Sequence, residues 1–95
     1  MERKDHQSYV VPLTYDEVQN LGDQEFSGLD SKIKIESAAE SLFDYVRFKS
    51  AYGDSDNVIK LKQEFNYIIN LLNDEEQNAA IESAYQKLNN IHFVK

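Results

Sequence analysis

The chain contains no cysteine and no tryptophan, a single proline at position 12, and three glycines at positions 22, 28 and 53. Without cysteine there can be no disulfide scaffold, no thiolate zinc site and no thiol nucleophile. The glycines stand too far apart to build a loop that cradles phosphate. No apolar run approaches the ~18 residues that a membrane-spanning helix requires. The first eight residues, Met-Glu-Arg-Lys-Asp-His-Gln-Ser, lack the apolar stretch of a signal peptide. A cytoplasmic protein without membrane association is therefore expected. Cations are scarce as well: ten Lys and Arg face seventeen Asp and Glu, for a formal charge of −7 over 95 residues. Direct binding to a nucleic-acid backbone needs clustered Lys and Arg and is not expected.

The negative charge is unevenly spread. Residues 14–30 hold Asp16, Glu17, Asp23, Glu25 and Asp30 and no basic residue, whereas residues 31–53 carry Lys32, Lys34, Arg47 and Lys49 against Glu36, Glu40 and Asp44. Such acidity serves solubility in many proteins; concentrated in one stretch, it also suits a surface that meets a basic partner.

Hydropathy patterning predicts an all-α fold. Residues 1–8 read as a flexible tail and residues 9–95 as a single helical domain. Tyr9-Val10-Val11-Pro12-Leu13 is expected to be extended, because proline keeps the residue before it out of the α region. Thr14-Tyr15-Asp16-Glu17 fits a capping box, and Leu13 and Val18 occupy the two positions of a hydrophobic staple, so a short helix should run from Thr14 to Gly22. Residues 22–30 read as a loop anchored by Phe26 and Leu29. A long helix follows to about Tyr52, with Ile35, Ala38, Ala39, Leu42, Phe43, Tyr45 and Val46 on one face. Gly53 ends it, and Asp54-Ser55-Asp56 caps a third helix whose stripe is Val58, Leu61, Phe65, Ile68 and Leu72. The last stripe is Ile81, Ala84, Tyr85, Leu88 and Ile91. From Leu72 to Ile81 is nine residues, a rotation of about 900° that would turn the apolar face to the opposite side, so a break is expected at 73–74. The architecture is then a small bundle of three main helices plus a short N-terminal one.

Candidate chemistry is thin. His92 has no His-x-x-x-His or Glu-x-x-His companion, and His6 falls in the tail, so neither points to a metal or a proton relay. Asp54-Ser55-Asp56-Asn57 opens like a calcium loop, but Val58, Ile59 and Phe65 stand where a ligand, the turn glycine and the bidentate Glu belong. The carboxylates Glu36 and Glu40, and Asp74, Glu75 and Glu76, are placed on solvated faces where nothing would tune them for acid–base work. No cofactor, metal site or catalytic set is expected.

Aromatic residues are in surplus, with six Tyr and five Phe. Most fall on core stripes, but Phe48, Tyr52 and Tyr67 lie off them. Aromatics beside helical grooves favour interfaces, unless another element covers them. The expected partner-binding residues are Asp16, Glu17, Asp23, Glu25, Phe26, Asp30, Phe48 and Tyr52. The leading expectation is a protein-binding module that occupies a basic partner surface, in the manner of an inhibitor, immunity protein, antitoxin or phage-encoded nucleic-acid mimic. The second is an assembly protein, a homodimer or larger helical homo-oligomer with the extra aromatics buried between copies.

Overall fold

The structure, a computed structural model, describes the backbone of residues 11–94 and the side chains of residues 11–90. The expected tail and both histidines, His6 and His92, lie outside the described side chains. Among the described residues there are five helices and no strand: α1 (Tyr15–Leu21), α2 (Asp23–Ser27), α3 (Ser31–Tyr52), α4 (Asp56–Ile69) and α5 (Asp74–Val94). The fold is an all-α small bundle.

Local chemistry sets the boundaries. At Thr14 the capping box is formed: the hydroxyl accepts from the Glu17 amide at 3.2 Å, and Glu17 Oε1 accepts from the Thr14 amide at 2.9 Å. Two donors left over at the helix start are satisfied reciprocally. Gly22 ends α1 and opens α2 at a φ of 91°, a left-handed backbone that costs a β-carbon-bearing residue. Residues 22–30 therefore hold a short helix instead of the expected loop. Its five residues bury one large apolar side chain, Phe26, too little for a period to show in sequence.

The start of α5 repeats the N-terminal device. Asn73 Oδ1 accepts from the Glu76 amide at 2.8 Å, and Glu76 Oε1 accepts from the Asn73 amide at 3.1 Å. Gln77 Nε2 donates to the carbonyls of Ile69 and Leu72, at 3.0 and 3.2 Å, and so ties the end of α4 into the turn. The helical path breaks over residues 70–73, between α4 and α5.

Helix α3 is the spine. It packs most extensively on α5 and next on α4, while α4 and α5 make only sparse contact with each other. The three-residue connection after α3 sends α4 back along it. Helix α5 instead runs parallel to α3: Ser31 meets Glu76, Glu36 meets Ser83, and Glu40 meets Lys87, so the pairing advances in the same direction on both. Ala38, Ala39, Ala80 and Ala84, all fully buried, belong to the core of these two helices. Small side chains let helix axes approach closely.

This contact corrects the expected face of α5. Glu76, Ala80 and Ala84 point inward, and Tyr85, placed on the stripe by its hydropathy, is 58% exposed. Alanine weighs little in a hydropathy pattern yet is what the close seam requires. The α1–α2 pair docks on one end of this assembly, where Val18, Phe26, Ile68 and Leu72 join the same core cluster. The Leu13 amide donates to Ser37 Oγ on α3 at 2.9 Å, which pins the entering chain.

Candidate functional site

The eight residues expected at a partner surface separate into two places along α3, a helix of 22 residues and hence about 33 Å long. Asp23, Glu25 and Asp30 lie near the Ser31 end, on α2 and the turn that follows. Asp16 and Glu17 stand on the first turn of α1, whose start lies beside the middle of α3, where Thr14 and Tyr15 share a cleft with Ser37, Glu40 and Asp44. Phe48 and Tyr52 lie at the Tyr52 end.

All five carboxylates are exposed. Their platform is fixed from below and from both sides. Phe26, expected as an exposed anchor for a partner, is completely buried; its ring fastens α2 to the core and is not available to a partner. Tyr67, expected off the core, is half-buried: its ring meets Tyr15 edge-on at 5.7 Å, and its hydroxyl donates to Asp23. That hydrogen bond to Asp23, followed by burial and the same carboxylate's charge, raises the Tyr67 pKa. Covering by the N-terminal helices thus resolves Tyr67 as a packing residue. Exposed apolar surface on this face comes from other residues, Val11 at 69% and Leu21 at 36%. A shallow notch of about 320 Å³ is lined by Leu13, Glu17, Asn20 and Leu21. No periodic signal marked Leu21, because it is the last residue of a two-turn helix.

Beneath the platform lies a buried ion pair that hydropathy did not reveal. Lys34 Nζ stands 3.2 Å from Glu76 Oε2 and donates to the Ser27 carbonyl at 2.8 Å. The Ser31 hydroxyl also donates to Glu76. Lys34 and Glu76 are 8% and 6% exposed, so Glu76 is not on a solvated face as expected. Burial alone would raise the Glu76 pKa. The hydrogen bonds from Ser31, the Asn73 amide and Lys34, with the lysine charge, outweigh it and hold the carboxyl below its ordinary value. Three elements, α2, α3 and α5, are joined through these two side chains.

Glu36 and Glu40 also depart from expectation. Both are half-buried and face Lys87 of α5, at 3.2 and 3.4 Å. Burial of Lys87 acts to lower its pKa, but hydrogen bonds and charge from the two glutamates prevail and raise it. Further along α3, burial and the neighbouring Glu40 raise the Asp44 pKa against the opposing influence of Arg47. Asp54-Ser55-Asp56 serves as a helix cap, with Ser55 Oγ accepting from the Val58 amide at 3.4 Å. Among the described residues no group of three or more His, Asp or Glu is placed to hold a metal ion.

At the Tyr52 end Phe48 is 36% exposed and Tyr52 64%, with ring centroids 5.6 Å apart. They line a groove of about 380 Å³ together with Val46, Ala51, Leu88 and Arg47. The Arg47 guanidinium also sits 5.2 Å from the Phe43 ring centroid, a cation–π contact that holds the charge at the groove edge. No described helix is long and apolar enough to cross a membrane. No protein-family model, curated protein or solved structure matches the chain.

Proposed function

We propose that the protein is a binding module whose acidic α1–α2 face occupies a basic surface on a partner protein, as an inhibitor or antagonist does. One observation carries this reading: five exposed carboxylates, with no cation between residues 14 and 30, stand on a platform fixed by Val18, Phe26 and the capping box. Charge held on a rigid support steers a partner of opposite sign and loses little conformational freedom on binding. The contact would place carboxylates where such a partner expects phosphates.

The test is affinity capture at several salt concentrations, with wild type beside a variant carrying Asp16→Asn, Glu17→Gln, Asp23→Asn and Glu25→Gln. Gln at position 17 preserves the capping box. The control is Glu75→Gln with Glu82→Gln, two exposed acids of α5; Glu76 is excluded because it is buried. Wild type and control should retain a basic protein that the α1–α2 variant loses, with an affinity that falls as salt rises. Equal retention by wild type and the α1–α2 variant would refute the assignment of the face. A loss in the two-charge control about half that of the four-charge variant would mean that only total charge matters.

A further inference from the structure

The α1–α2 face and the Tyr52 end of α3 are complementary to each other. The α1–α2 face carries exposed carboxylates and no cation, and Glu17 lines the notch with Leu13, Asn20 and Leu21. The Tyr52 end differs: among the described residues its groove is lined by one exposed cation, Arg47, and by no carboxylate, while the nearby Lys49 is paired with Asp54 at 3.8 Å. The groove walls are otherwise mostly apolar. The parallel pair α3 and α5 places two helix N-termini at the Ser31 end and two C-termini at the other. Their dipoles oppose the surface charges by roughly half a charge per helix end, which reduces the asymmetry without reversing it.

We infer that the Phe48–Tyr52 groove is a docking site for the exposed face of α1 in a second copy of this chain, so that copies associate head to tail. Leu21 of one copy, exposed at the end of α1, would enter the groove of the next, with Asp16 and Glu17 of the same helix beside Arg47. Buried apolar surface supplies the attraction, and opposite charges set the register. The contact joins two different patches, so it is heterologous and extends into short chains unless the rotation closes a ring. The net charge of −7 repels copies at long range, so the contact is weak at low concentration and shielding by salt acts on both terms. The inference shares the acidic face with the function proposed above but needs no foreign partner, so each can fail alone.

Sedimentation velocity over micromolar to near-millimolar concentration tests it, on wild type and on the full-length variants Asp16→Lys, Arg47→Glu and Phe48→Ser/Tyr52→Ser. All four changed residues are exposed, and melting curves check that each variant is folded. Wild type should sediment faster as concentration rises, without levelling off at twice the monomer mass of 11.0 kDa. Each variant alone should associate about tenfold more weakly, a change of ~1.4 kcal/mol. The decisive result is the mixture of Asp16→Lys with Arg47→Glu. Each then retains the end that the other lacks, so association should return on mixing. A wild type that stays monomeric leaves the groove to a different sequence and overturns the inference. Undiminished association of Asp16→Lys overturns it too, by pairing the groove with its own copy, and so does a mixture that fails to recover.

Discussion

The two ends of α3 belong to one helix but meet solvent by opposite means. At the Ser31 end two short helices cover the core, the charges of Lys34 and Glu76 are inside, and the rings of Phe26 and Tyr67 are packed. At the Tyr52 end Tyr52 is mostly open and Phe48 about one-third so, their rings against each other. A buried charge is tolerated only where every polar atom finds a partner, and the first end provides partners from α2, α3 and the α5 cap. An exposed ring contributes little to the fold and stays free to bind. The difference separates residues that hold the molecule together from residues that can be spent on contacts.

The sharpest break in that comparison comes from removing one member of the buried pair. Lys34→Met strands the Glu76 carboxylate and should cost about 3–5 kcal/mol in urea denaturation. Adding Glu76→Gln keeps the Asn73 cap, which accepts Gln as well as Glu, and should recover most of the loss. A double variant no more stable than the single would show that the ion pair is not what limits this end. The same group predicts a pH response. Because the Glu76 pKa is lowered on folding, its contribution is fully present above the unfolded value, about 4.3, and is lost as pH falls through the folded value. Glu76→Gln should therefore flatten the acid limb of stability against pH, and an unchanged limb would assign acid sensitivity to other carboxylates.

Packing offers a second contrast of comparable size. Phe26→Ala should destabilise by ~3–5 kcal/mol, whereas Phe48→Ala should stay within a kcal/mol or so. Equal thermal shifts for the two would mean that Phe48 is structural and would withdraw it from the docking groove.

Sequence patterning anticipated more of the fold than of the candidate surface, for traceable reasons. The α3 and α4 stripes, the Thr14 cap and the break before α5 rest on period and local hydrogen bonding, which neighbouring residues encode directly. Lys34 and Glu76 were not legible, since their partners lie 42 positions apart and a charge in a hydropathy pattern always reads as solvated. Phe26 misled, and Tyr67 stayed open between interface and packing, for a related reason: whether a ring is covered depends on where α1 and α2 dock. Phe48 and Tyr52 leave the stripe of a long, regular helix, which marks them as off the core but does not say whether another element covers them.

The smallest expected effect concerns the support of the acidic face. Thr14→Ala should lower stability by about 1 kcal/mol, and its consequence should be local. Hydrogen exchange should speed up in α1 and leave the amides of α3 unchanged. Faster exchange throughout would mean that α1 is integral to the whole domain and not a docked cover.

The seam of Ala38, Ala39, Ala80 and Ala84 limits how this sequence can drift. Most single-nucleotide changes at an alanine codon enlarge or charge the side chain, and a larger group at any of these fully buried positions must displace its core neighbours or twist away from its preferred rotamer. These modest residues should therefore accept Gly or Ser and little else, while the larger Ile59 and Tyr85, both exposed, can change freely. Across diverged copies of this protein, the steadiest positions would be its smallest ones.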